Sequence, residues 1–185
     1  MRERVLDRAI FIPGQTWRNE LHWLYTAVVN SKVHVEVGAF CGRSLFVTAG
    51  AMRNATLYCV ELPDPGGWGH QPMGGWAKKV LEVTFEAIKE NSPTVKVEPM
   101  WCGSMMAAIE LQKKNVQVDS IFIDGDHCYE SIYADINSWF PLMKQGGIMI
   151  GHDYDTNNIG VMDAVNELLP NFQVWPNTRM WYAKV

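Results

Sequence analysis

A chain of 185 residues with a formal net charge of -4 has the size of one domain with a sizeable hydrophobic core. The charge balance is acidic and no lysine or arginine stripe is present, so a nucleic-acid partner is not expected. No apolar run approaches the ~18 residues that a membrane span needs, so no membrane partner is expected either.

The first residues, Met1-Arg2-Glu3-Arg4-Val5-Leu6-Asp7-Arg8, mix charges and lack the apolar core of a signal peptide, which predicts a cytoplasmic protein. Four cysteines (Cys41, Cys59, Cys102 and Cys128) are dispersed, with no CxxC pair and no metal-ligand spacing, and read as reduced core thiols. After Pro13-Gly14-Gln15, a helix opens near Thr16 with Leu21, Leu24, Tyr25 and Val28 on one face. Residues 1–30 thus form an N-terminal helical segment expected over the site.

Strands are predicted at Val33–Val37, Thr56–Val60, Val95–Met100, Ser120–Ile123 and Ile148–Ile150. Helical patterns lie between them at about 43–52, 77–90, 104–114 and 129–143. This alternation predicts an α/β fold, a mostly parallel sheet between two helical layers. A helix near Val161–Leu169 stops at Pro170, and Phe172–Trp175 and Met180–Ala183 follow as strands with a short connection. So short a link requires an antiparallel pair, which brings the sheet to seven strands. No repeat or linker divides residues 1–185, so one domain is expected. The glycine-rich stretch at 62–76, with His70 in it, is long for a βα connection and reads as a candidate lid.

In an open parallel sheet, ligands bind beyond the carboxyl ends of the strands. The first strand ends in Glu36-Val37-Gly38-Ala39-Phe40-Cys41-Gly42-Arg43-Ser44. This is a strand, a glycine-permitted turn and a helix N-terminus, which suits an anionic group. Phe40 stands where the dinucleotide fingerprint has its second glycine, so the cradle suits a smaller anion such as a carboxylate. Glu61 ends the second strand about twenty residues on, where an acid can bridge two ribose hydroxyls; an exposed strand-end charge is the alternative. Cys102-Gly103-Ser104 ends the third strand as a helix cap or a surface facing a base.

The fourth strand delivers Asp124-Gly125-Asp126-His127, and the fifth, after Gly146-Gly147, delivers His152-Asp153-Tyr154-Asp155. Like charges clustered at strand ends destabilise unless something uses them. Asp124 and Asp153 on neighbouring strands would face one another as a hard-cation site, with His127 and His152 nearby. His22 and His34 lack such a context and read as structural.

The strand-end set resembles class I S-adenosylmethionine-dependent methyltransferases over nearly the whole chain. Val35 to Ser44 is similar to the cofactor motif of catechol-type O-methyltransferases, and Pro13-Gly14-Gln15 to their Gly-Gln entry. The segment from Phe122 to His127, then Gly146-Gly147 and His152-Asp153-Tyr154, resembles methyltransferase domain 24 and macrolide-sugar O-methyltransferases. The resemblance implies a Rossmann-like three-layer α/β/α sandwich whose sheet ends in an antiparallel hairpin. It implies S-adenosyl-L-methionine held by Glu36, Gly38, Ala39, Phe40, Gly42 and Ser44 on the methionine side. Glu61 and Leu62 would lie at the ribose, Cys102, Gly103 and Ser104 along the adenine, and Asp124, Gly125 and His127 beside the reacting end.

His127 takes the place of the catechol-type general-base lysine. Asp124 and Asp153 match the ligands of magnesium or another divalent cation. Tyr154 departs from the family's Asn or Asp, which leaves the third ligand open among His152, Asp155 and water. The implied reaction is O-methylation of a small hydroxylated acceptor, a phenol or a sugar, by a monomer or a homodimer. A metal-independent methyltransferase with a histidine base, a non-catalytic cofactor-binding protein and an NAD-dependent oxidoreductase are the rival readings.

Overall fold

The computed structural model describes residues 1–63 and 75–185. Two helices, α1 (Arg2–Ala9) and α2 (Arg18–Val28), precede the alternating part of the chain. The alternation then runs β1 (Val33–Val37), α3 (Arg43–Ala51), β2 (Ala55–Glu61), α4 (Trp76–Asn91), β3 (Val95–Trp101) and α5 (Ser104–Lys113). It continues with β4 (Val118–Ile123), α6 (Tyr129–Trp139), β5 (Met143–Gly151), α7 (Ile159–Leu168), β6 (Gln173–Val174) and β7 (Trp181–Lys184).

The seven strands are ordered β3-β2-β1-β4-β5-β7-β6, with β7 antiparallel to both β5 and β6. The order reverses at β1 and β4, and such a switch point opens a crevice at the strands' carboxyl ends. β1 sits in the middle of the sheet and is buried from His34 to Val37, as a strand covered on both faces should be. Two apolar cores flank the sheet. Leu21, Leu45, Leu57 and Phe122 belong to one, and Ile121, Ile136, Trp139 and Trp181 to the other. Among the described residues no helix is long and apolar enough to cross a membrane.

Three expectations need correction. The fifth strand is three times longer than its apolar triplet, and the sixth helix stops at Trp139 instead of 143. Pro141 cannot continue a helix, and the chain passes through a 3-10 turn, Phe140–Leu142, into β5. Gly146 and Gly147 lie within β5, where the register jumps from Val118↔Met143 to Ser120↔Ile148. Gly146 takes φ 78 at that irregularity, a conformation that favours glycine. The thiols are free, but only Cys41 and Cys59 are core; Cys102 is half-buried and Cys128 exposed, so the reading of four core thiols fails. The candidate lid lies largely outside the described residues, and His70 with it.

Candidate active site

The crevice is built first by β1. Gly38 follows the strand with φ 82, and a Cβ placed there would lie 2.1 Å from the Asp124 carbonyl oxygen. Only glycine lets the turn pass so close to the end of β4. Asp124 is tied to the same turn through its N–H, which donates to the Val37 carbonyl at 2.9 Å. Beyond Gly38 the chain turns through Phe40 (φ 51) and Gly42 (φ 87) into α3.

Two carboxylates shape this turn. Ser44 Oγ donates to Glu36 Oε1 at 2.7 Å, while Glu36 Oε2 is buried with no partner. Burial, with Asp124 and Glu61 nearby, pushes the Glu36 carboxyl up to about 8. Glu61, at the end of β2, accepts the Phe40 N–H at 2.7 Å and the Leu62 N–H at 2.8 Å. It therefore holds the β1–α3 turn and the start of the β2–α4 loop together, which a strand-end charge in solvent would not do. Each oxygen of Glu61 keeps a lone pair for a further donor. Phe40 meets Trp76 edge-to-face at 5.6 Å, and Ala39 is buried behind it.

At the third strand end, Cys102 and Gly103 precede α5. Ser104 is less available than the motif suggests, because its hydroxyl accepts the Trp139 Nε1–H at 2.9 Å. Pro13-Gly14-Gln15 lies over α3, where Arg43 holds the segment by donating to the Ile12 and Thr16 carbonyls at 2.7 and 3.1 Å.

The second half of the site is a charged cluster at the ends of β4 and β5. His127 Nε2 lies 3.0 Å from Asp153 Oδ2, and His152 Nδ1 is 3.0 Å from the same oxygen and 3.5 Å from Asp124 Oδ1. His152 Nε2 meets Glu20 Oε2 at 3.1 Å, with both side chains buried. Both nitrogens of His152 thus face carboxylates, and neighbouring negative charge outweighs its burial and raises it to about 10. The hydrogen bond to Asp153 raises His127 as well, and the two imidazoles hold Asp153 well below the usual carboxylate range against its burial. Burial moves Asp124 upward.

Two members of this cluster, Glu20 and Arg179, escaped the sequence reading. Glu20 looked like an ordinary first-turn acid of α2, yet it accepts the N–H of Trp17 at 2.8 Å and of Arg179 at 3.1 Å. Arg179 Nη1 donates to Asp153 Oδ1 at 2.8 Å. The strand register of the hairpin puts it there. β7 pairs antiparallel with β5 as Gly151↔Trp181, so continuing the register sets Arg179 opposite Asp153.

Asp124, His152 and Asp153 each offer one atom within 4.8 Å of the others, as a cation site would require. Their bonding does not fit a cation. Asp153 has one oxygen bonded by the Arg179 guanidinium and the other 3.0 Å from an imidazole nitrogen of each of His127 and His152, and both nitrogens of His152 face carboxylates. Arg179 Nη1 also lies 3.7 Å from Asp155, the other protein candidate for the third ligand. A guanidinium does not lose its charge, and it stands where a cation would need free lone pairs. The cofactor cradle, by contrast, fits its expected occupant. A glycine-only approach, an unpartnered Glu36 carboxyl oxygen beneath it and the Glu61 carboxylate meet at the one turn after β1.

A family model described as a methyltransferase domain, Methyltransf_24, matches residues 35–154. The chain belongs to that family. The methyltransferase sheet, with its reversed C-terminal pair, is the fold of the class I S-adenosylmethionine-dependent enzymes. An O-methyltransferase from Bacillus cereus in complex with S-adenosylhomocysteine (SAH) is 14% identical, with TM-score 0.68, over 100% of this chain and 90% of that one. The TDP-rhamnose 3'-O-methyltransferase CalS11 of calicheamicin biosynthesis is 16% identical, with TM-score 0.62, over 99% and 92%. A precorrin 8w decarboxylase from Methanobacterium thermoautotrophicum is 15% identical, with TM-score 0.66, over 94% of each chain, so the shared fold alone does not choose the reaction. The uncharacterized protein R132 of Acanthamoeba polyphaga mimivirus is 34% identical over 58 residues, which is 30% of this methyltransferase and 26% of that relative.

Proposed function

We propose that this methyltransferase transfers the methyl group of S-adenosylmethionine to the hydroxyl of a small acceptor, a phenol or a sugar, with His127 as general base. The observation that carries the reading is the His127–Asp153 pair beside the cradle. Asp124 belongs to both halves. Its backbone abuts Gly38, and its carboxylate lies 3.5 Å from His152.

S-adenosylmethionine supplies an electrophilic methyl group on a sulfonium. Gly38, Ala39, Phe40, Gly42 and Ser44 would hold its methionine part, with Glu36 behind them. Glu61 would take the ribose hydroxyls through its remaining lone pairs, beside Leu62. Cys102 and Gly103 would lie along the adenine, and Gly125 leads from the cradle to His127.

His127 Nε2 lies 3.0 Å from Asp153 Oδ2, which orients the ring, and Nδ1 has no protein partner among the described residues. A carboxylate that orients an imidazole and stabilises its charged form is the arrangement used by histidine bases. Nδ1 would accept the acceptor's O–H proton as the oxygen attacks the methyl group in line. Holding the oxygen and the methyl in line contributes about 7–11 kcal/mol in favourable cases. The side chain of His127 is 48% exposed, so an acceptor can reach it, whereas His152 at 2% cannot serve. Trp17, which is exposed at the edge of the cluster, offers a flat apolar face for a ring.

The reading is tested by release of S-adenosylhomocysteine over a panel of phenols, sugars, amines and carbon acids. Methylation confined to hydroxyl acceptors supports it. Turnover confined to amines or carbon acids overturns the O-methyl assignment and leaves the methyltransferase in place.

A further inference from the structure

The family resemblance implies a divalent cation at the ends of β4 and β5, yet the cluster holds an arginine at that point. Arg179 sits two residues before β7, and the antiparallel register brings it beside the end of β5. Its backbone is fixed on both sides: its N–H donates to Glu20 at 3.1 Å and its carbonyl accepts the Tyr154 N–H at 2.8 Å. Its side chain is only 24% exposed and lies over the Trp17 ring with 5.0 Å from Cζ to the centroid. Nη1 bonds Asp153 at 2.8 Å and approaches Asp155 at 3.7 Å, while Nε is 4.0 Å from Glu20.

One guanidinium therefore faces three carboxylates. These elements come from widely separated parts of the chain, α2, the end of β5 and the start of β7. A charge held in so many directions is part of the architecture, not a mobile surface arginine.

We propose that Arg179 is a positioning residue that stands in for a divalent cation: it holds Asp153 against His127 and excludes metal from the Asp124–His152–Asp153 cluster. Removing the guanidinium frees Asp153 Oδ1 and removes the competing positive charge, so the same three residues become able to bind a cation. The exclusion of metal stands independently of the acceptor. The consequence that methyl transfer needs no metal rests on the O-methyltransferase reading above.

The test is titration of the purified protein with Mn2+, following free ion by electron paramagnetic resonance without cofactor or acceptor. The wild-type protein is expected to show no specific site. Arg179→Met is expected to bind one Mn2+ at least about tenfold more tightly, equivalent to about 1.4 kcal/mol. Asp153→Asn in the same background should abolish that gain. Arg179→Lys, which keeps the charge, should still exclude the ion and serves as the control should the Met variant fold poorly by circular dichroism. A wild-type site lost in Asp153→Asn overturns the proposal, as does a folded Arg179→Met protein that gains no Mn2+, or an Arg179→Lys protein that binds it like the Met variant. Methyl transfer resistant to a chelator checks the functional half separately, because the Mn2+ result does not depend on turnover.

Discussion

Replacing Glu61 by glutamine changes one oxygen to an NH2 group and leaves size and shape intact. Glu61 accepts the Phe40 N–H at 2.7 Å and the Leu62 N–H at 2.8 Å, one on each oxygen. A glutamine can present its single carbonyl oxygen to only one of them, so the other N–H would face a second donor. A donor left without a partner costs about 1–3 kcal/mol when buried; both N–H groups here are part-buried, and burial also penalises the Glu61 charge, so the cost lies at the low end. At this chain length each 1 kcal/mol moves Tm by roughly 2–4 °C, so a fall of several degrees is expected. The bound state loses more. Hydrogen bonds to a charged group contribute about 1.5–3 kcal/mol each, and the variant forfeits at least one to the ribose, a loss of roughly 10- to 150-fold in affinity. Calorimetric titration with S-adenosylhomocysteine reads this directly, with circular dichroism to confirm the fold. A folded Glu61→Gln protein that binds within about twofold of wild type would refute the ribose role and the reasoning behind it.

The remaining expectations concern the two histidines. Because Asp153 raises His127 above its ordinary ~6.5, the free base is depleted below that raised value. The rate at saturating substrate should then fall about tenfold for each further pH unit, and His127→Ala should cost about 10²–10⁴-fold on the plateau and lose this acid limb. An acid limb unchanged in the variant would remove His127 from the mechanism. His152 is raised to about 10, so its contribution to stability is complete below the unfolded ~6.5 and disappears as pH rises through 10. Asp153 has the opposite sign: its contribution is present above the unfolded ~3.9 and is lost in acid. Wild type should therefore lose more Tm between pH 7 and 10 than His152→Asn does, by roughly 7–14 °C at most. Parallel curves for the two proteins would show that the cluster's charges do not carry the stability assigned to them.

What the sequence made legible follows from which signals are local. The α/β alternation, the Gly38 turn and the aspartates at strand ends are readable because a buried strand is a short apolar run and the residue after it falls at the crevice. Glu61 was found by its spacing from the turn, but its hold on the Phe40 backbone is a tertiary fact. β5 was underestimated because its first half carries Lys144, Gln145, Gly146 and Gly147, which lack the apolar signature of a buried strand. Helix α1 was not resolved as an element of its own, since charged residues surround its two buried positions, Leu6 and Ala9. Glu20 and Arg179 were missed for a different reason. Their partners lie 132 and 26 residues away, at His152 and Asp153, and no local pattern announces such pairs. The carboxylates and histidine of the expected cation site do converge, but the arginine that shares Asp153 with them is not visible from the strand ends alone.

The central claim is that the crevice beyond β1 and β2 is an S-adenosylmethionine site and not a dinucleotide site. Calorimetric titration of the wild-type protein with S-adenosylmethionine and, separately, with NAD tests it most directly. One saturable site for S-adenosylmethionine and no heat of binding for NAD is the predicted result; saturable NAD binding, with none for S-adenosylmethionine, would contradict it.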